Sequence, residues 1–179
     1  MDAINAYQAN DRYAGLSFFA FDLNRILARK LPQSLDIEKA ITELDLAIKS
    51  HQRTILTAGE ITLYRGCTFE AGNPEIGNAG VFFRQYLSTS TNLSEALHFA
   101  SKCDSSDGEI HVLKIIYPSS QNHFLMGETS EKEVLLPRDC FFTVAEWELT
   151  IDEQMVWSLC SSLRSKPTIK CLKYPSLPL

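Results

Sequence analysis

The spacing of apolar residues changes between residues 50 and 60, and that change limits the fold more than any other feature of the chain. Before it, apolar residues recur every three or four positions. Leu16, Phe19, Leu23, Ile26 and Leu27 predict a helix over residues 12–30, ended by Leu31 and Pro32. A second helix begins near Ser34 or Asp36. Its stripe is Ile37, Ile41, Leu44 and Ile48, with Glu38, Lys39, Glu43 and Lys49 elsewhere on its surface. After residue 60 the segments are short and β-rich. ITLYRGC reads as a strand, AGNPEIGNAG as a loop, and VFFRQYLSTS as one strand. Asn92 caps a short helix with Glu95 as reciprocal partner, and Leu93, Ala96, Leu97 and Ala100 form its buried stripe. DSSDG is a turn. EIHVLKIIYP, apolar on both faces, is a central strand. PSSQNHFLMGETS is a polar loop of 13 residues, long enough to carry a task. EKEVLLP and CFFTVAEWELT are strands, and MVWSLCSS and TIKCLKY add edge strands.

Helices followed by strands, with one helix inserted, predict an α+β domain with antiparallel sheets. Residues 1–58 form a helical lobe and residues 59–179 a β-rich core of one domain. Neither βαβ alternation nor a GxGxxG turn is present. The 179 residues are 45% hydrophobic, enough for a sizeable core, and the net charge of -5 argues against nucleic acid as a partner. Five cysteines (Cys67, Cys103, Cys140, Cys160 and Cys171) match no zinc spacing, so no metal is expected and the thiols read as reduced. The first residues lack a basic-then-apolar leader, and no run approaches the roughly 18 apolar residues of a membrane span.

Three polar insertions interrupt the β-rich half: Arg65 in LYRG, the triplet Ser88, Thr89 and Ser90 in YLSTST, and Glu131 with Glu133 in EKEVLLP. On a strand, Ser88 and Ser90 share a face, and so do Glu131 and Glu133. Two like charges on one face beside apolar residues cost free energy unless a partner or a task offsets it. Taken singly, each insertion reads as surface chemistry: an exposed Arg, a helix lead-in, a solvated edge.

Together, in this order, they resemble the mono-ADP-ribosyltransferase family of the Arg–Ser-Thr-Ser–Glu-x-Glu class, over residues 63–144, nearly half the chain. The resemblance implies two packed, mainly antiparallel sheets with an N-terminal helical lobe. It implies NAD as co-substrate, cleaved at its nicotinamide–ribose bond through an oxocarbenium-like state. Arg65 would clamp the diphosphate, since a guanidinium fork matches phosphate oxygens. Ser88 would orient Glu133 and shape the nicotinamide pocket, with Thr89 and Ser90 in support. Glu133 would hold the ribose 2'-hydroxyl and face the developing positive charge. Gly66 would let backbone approach the nicotinamide amide, and Phe99 would flank the pocket or lie in the core.

By the same resemblance, Glu131 selects and activates the acceptor. A glutamate there points to arginine, with Thr or Ser as the other acceptors. Residues 118–130 correspond to the family's target-recognition loop, in which His123 and Phe124 sit where an exposed aromatic touches the target, or Phe124 packs the loop down, and Glu128 lies close by. The implied partner is a host protein such as a small GTPase, actin, ubiquitin or another signalling protein. The implied setting is a monomeric secreted bacterial effector acting in the host cytosol, or else a cytoplasmic enzyme. Two other functions keep the same motifs: an NAD glycohydrolase with water as acceptor, and a silent protein-binding module on the same fold.

Overall fold

The computed structural model describes residues 2–50, 59–69, 76–77, 80–102, 109–121, 123–125, 133–145 and 168–173. The chain begins with three helices: α1 (Ala3–Ala9), α2 (Phe19–Ala28) and α3 (Leu35–Ser50). The stripe read on α3 is the buried one, with Ile37, Ile41, Leu44 and Ile48 all turned inward, and Phe19, Leu23 and Leu27 of α2 meet them. The helix expected over residues 12–30 is shorter. Ala14 and Gly15 both take positive φ (50° and 82°) in a tight turn closed by a Tyr13–Leu16 bridge, so helix starts only at Phe19. α1 has no counterpart in the sequence reading. Asp2 caps it by accepting from the Asn5 N–H at 2.9 Å, and Ala3, Ala6 and Tyr7 bury its inner face.

The strands are β1 (Glu60–Phe69), β2 (Ile76–Gly77), β3 (Gly80–Phe83), β4 (Leu87–Ser90), β5 (Glu109–Pro118), β6 (Phe124–Leu125), β7 (Glu133–Leu136), β8 (Cys140–Ala145) and β9 (Thr168–Lys173). Helix α4 (Leu93–Lys102) is inserted after β4. Neighbours run in the order β2-β3-β8-β9-β5-β1-β4-β7-β6, antiparallel except for β5 with β9. The seam between β1 and β4 is slight: the register pairs Tyr64 with Ser90 there and nothing more among the described residues. The sheet therefore divides into two wings. Ile61, Leu63, Leu113 and Ile115 from one wing meet Leu87, Val134 and Leu136 from the other in a shared core. This is the α+β arrangement of two packed, mainly antiparallel sheets behind a helical lobe.

Two strand assignments change. VFFRQYLSTS forms two strands: β3 pairs with β8, while β4 pairs with β1 and β7, because the chain leaves one wing at Arg84 and joins the other at Leu87. The strand in TIKCLKY is interior, lying between β8 and β5. The segment MVWSLCSS lies outside the described residues. β5, expected to be central, lies between β1 and β9.

The helical lobe is bolted to the second wing. Tyr86, fully buried, donates its hydroxyl to Asp45 Oδ1 (2.7 Å), and Arg138 Nε and Nη2 reach Asp45 Oδ2 at 3.1 and 3.0 Å. No described helix is long and apolar enough to cross a membrane.

Candidate active site

The register of β4 on β7 sets the site. Ser90 stands opposite Glu133, Thr89 opposite Val134, and Ser88 opposite Leu135. Opposed residues share a face, so Ser88, Ser90 and Glu133 all lie on the side of Leu135, which belongs to the helical-lobe core. Thr89 lies on the other side. Its hydroxyl is buried and donates to the Val134 carbonyl at 2.6 Å, so it joins the two strands. The alternation read from the sequence holds through the triplet.

Arg65 stands opposite Leu113 on β1 and β5, next to the seam. Its guanidinium reaches β4 and donates from Nη1 to the Ser88 carbonyl at 2.6 Å. From the other side, α1 brings in Tyr7. This phenol is buried, accepts from Asn24 Nδ2 at 2.6 Å, and feels the charges of Arg65 and Glu133 and the dipole of Ser88. Burial holds the Tyr7 phenol above its ordinary pKa. The Asn24 hydrogen bond, Arg65 and Ser88 pull it down, and Glu133 adds to the rise. Tyr7 is therefore neutral at physiological pH. Arg65, Ser88 and Glu133, spread over 69 residues of sequence, are thus brought to one region beside the seam between the wings, and all three act on the Tyr7 phenol.

Tyr7 and Asn24 belong to no motif. What could have pointed to them is that Tyr7 lies on the same helical face as Ala3 and Ala6, where small residues allow close approach.

Ser90 is also buried. Its Oγ accepts from the Asn92 N–H at 2.9 Å, the donor that a capping box would give to Glu95, while Asn92 Oδ1 takes Ser94 N–H at 3.0 Å. The cap of α4 is therefore shared between Ser90 and Asn92. Gly66 has a packing reason of its own. A Cβ at this position would run into the Ala96 carbonyl and the Ala100 backbone, so α4 sits directly on the strand that carries Arg65. Phe99 is exposed on α4, with Lys102 Nζ 5.5 Å from its ring centroid; it is not core.

The expected exposed aromatic contact at residues 123 and 124 is not what the structure has. His123 is 5% exposed, with its Nδ1 2.7 Å from the Gln121 carbonyl and its ring edge-on to Tyr117. Phe124 pairs opposite Leu135 and packs on the helical-lobe core. The apolar surface offered by the lobe draws Phe124 inward, and His123 is held by Tyr117 of β5, in the core between the wings. Glu128 and Glu131 lie outside the described residues. Among the described residues no three His, Cys, Asp or Glu side chains group as a metal site.

A guanidinium, a hydroxyl and a carboxylate at an opening between two sheets can clamp an anion and stabilise a cation side by side. No family model matches the chain, and no curated protein sequence matches it. Solved structures do. Vis, an ADP-ribosyltransferase from Vibrio splendidus, solved with agmatine, superposes at a TM-score of 0.64 and 15% identity, covering 97% of this chain and 74% of that one. BECa, an ADP-ribosylating toxin from a binary enterotoxin of C. perfringens, solved with NADH, gives 0.60 and 15%, over 96% of this chain and 42% of that one. Exoenzyme S from Pseudomonas aeruginosa, bound to carba-NAD and human 14-3-3 protein beta, gives 0.55 and 15%, over 87% and 66%. The chain thus spans less than two thirds of the length of the last two. At these identities the likeness is one of fold, and the chain has the fold of bacterial ADP-ribosylating toxins.

Proposed function

We propose that this chain is an NAD-dependent mono-ADP-ribosyltransferase that moves ADP-ribose to a side chain of a target protein and releases nicotinamide. One observation carries the proposal: Arg65 reaches across the seam between the wings to the Ser88 carbonyl, and the Ser88 side chain shares a strand face with Glu133, in this fold. The residues suit a dinucleotide. A guanidinium has five N–H donors, and the bond to Ser88 engages one of its nitrogens, which leaves a fork for diphosphate oxygens. Glu133 holds the ribose hydroxyl and balances the charge that develops as the glycosidic bond breaks. Ser88 orients it. Gly66 and Phe99 complete the NAD-binding set, with Thr89 and Ser90 in support, joining the strands and capping α4.

Arginine is the favoured acceptor and Thr or Ser the alternative. Glu131 supports this choice, as does the presence of agmatine, a small guanidine, in the Vis complex. The partner is a host protein and the setting that of a bacterial effector; exoenzyme S is known in a complex with a human protein. The test is incubation with labelled NAD and a eukaryotic lysate, then peptide mapping. Label on arginine of a discrete protein is the expected result. Label on Thr or Ser would move the acceptor assignment, and NAD consumption without labelled protein would make the chain a glycohydrolase.

A further inference from the structure

The strands that carry Ser88 and Glu133 have slight backbone ties to the rest of the sheet. β4 and β7 pair with each other from Leu87 with Leu136 to Ser90 with Glu133. On its other side β7 meets the two-residue β6, and β4 meets β1 at the one pair Tyr64 and Ser90 among the described residues. Apolar packing holds such a strand pair without fixing its tilt, because burial has no direction. Hydrogen bonds have direction, so they set the tilt. One lies at the seam, where Arg65 Nη1 donates to the Ser88 carbonyl. The others lie at the far end of the pair and meet on Asp45 of α3. Tyr86, the residue before β4, donates to Asp45 Oδ1 at 2.7 Å, with the Ile41 carbonyl 3.1 Å away. Arg138, two residues after β7, reaches Asp45 Oδ2 from Nε and Nη2 at 3.1 and 3.0 Å, and Asp139 takes its Nη1 at 2.8 Å. One carboxylate therefore grips the entry of β4 and the exit of β7 together. Tyr86 and Ser88 are two residues apart, about 7 Å along an extended chain, and share a face. That face turns to the helical lobe, where Tyr86 and Leu135 are buried in one core with Ile41, Leu44 and Ile48 of α3.

Resting on the transferase reading, we infer that Asp45 is a positioning residue: by gripping Tyr86 and Arg138 it sets how the strand pair bearing Ser88 and Glu133 stands against Arg65 across the seam. A dinucleotide held by Arg65 then meets Glu133 at the working distance. A displacement of about 1 Å between reacting groups can cost a hundredfold in rate, so a loosened pair would be folded and slow.

The test compares Asp45→Asn with Ile48→Val. Asp45→Asn keeps the size of the side chain and an acceptor for Tyr86, but it puts an amide where Arg138 needs a carboxylate oxygen. Ile48→Val trims the buried face of the same helix and leaves the grip intact. Both are assayed well below their melting points. In Asp45→Asn, kcat for nicotinamide release should fall about ten- to a hundred-fold. KM for NAD should stay within about threefold, since the loss is made in the transition state. Ile48→Val should melt lower and turn over like the wild type. Wild-type kcat in Asp45→Asn, or an equal loss of kcat in Ile48→Val, would overturn the inference. Amide hydrogen exchange of the same proteins gives an answer independent of turnover. Residues 87–90 and 133–136 should exchange faster in Asp45→Asn and not in Ile48→Val, and unchanged exchange in Asp45→Asn would overturn the grip. If the wild type releases no nicotinamide, the transferase reading fails, and exchange alone decides whether Asp45 holds the strand pair.

Discussion

Gly66→Ala tests whether α4 seats the strand that carries Arg65. Gly66 does not have positive φ, so alanine suffers no backbone strain there. The added Cβ meets the Ala96 carbonyl oxygen and the Ala100 amide nitrogen and Cα, which are helix backbone and cannot swing aside as a flexible side chain would. Helix α4 must shift as a body, and it holds Ala96, Leu97 and Ala100 against the strands. Overpacking of this kind costs about 1–3 kcal/mol, and rigid neighbours favour the upper end. The opposing term is the lower chain entropy of unfolded alanine, about 0.4–1 kcal/mol. The balance is about 2 kcal/mol of destabilisation. For a chain of this size, each kcal/mol moves the melting point by about 2–4 °C, so Tm should fall by roughly 4–8 °C. Thermal unfolding followed by circular dichroism measures it. An unchanged or raised Tm, which is what the entropy term alone would give, would refute the seating of α4 on Gly66.

Tyr86→Phe removes the hydroxyl shared between Asp45 Oδ1 and the Ile41 carbonyl and should cost about 1–2 kcal/mol in urea unfolding. Asp45→Ala should cost more, because it removes an acceptor from Tyr86 and the bidentate partner of Arg138 together, leaving them the Ile41 carbonyl and Asp139; equal losses would contradict the network. The Cys140 thiol is pushed up to about 12, first by burial and then by the neighbouring charge of Asp139. The unfolded chain therefore gives up this proton first, and its contribution to stability is lost as pH rises from the ordinary thiol value toward about 12. At pH 8, iodoacetamide should label Cys140 slowly in the native protein and readily in urea; equal rates would refute its burial.

Much of the fold was legible because its signals are local. The stripe on α3, the apolar run of β5 and the alternation through Ser88, Thr89 and Ser90 each follow from a period that packing keeps. What the sequence hid depends on contacts distant in the chain. VFFRQYLSTS has strand propensity throughout, and only its two different partners divide it into β3 and β4. The interior position of β9 is set by its parallel pairing with β5, which no local pattern encodes. At the site, Arg65, Ser88 and Glu133 could be named because each sits in a short, distinctive flank. Tyr7 and Asn24 could not: they lie on helices whose apolar residues mark only a core face, and their polar atoms gain meaning when that face packs with Tyr86 and Leu135. Loop composition leaves Phe124 open between a target contact and a packed position and hides the burial of His123, because it does not reveal the apolar neighbour that draws a loop inward.

The central claim is that Glu133, on the strand face it shares with Ser88, breaks the nicotinamide–ribose bond of NAD. The most direct measurement is nicotinamide release from NAD by wild type and by Glu133→Gln, with and without eukaryotic lysate, each protein shown to be folded by its melting point. The account predicts release by the wild type, with transfer to lysate protein, and a fall of about a hundred- to a thousand-fold in Glu133→Gln. Equal release by the two proteins, or none from the wild type under either condition, would contradict it.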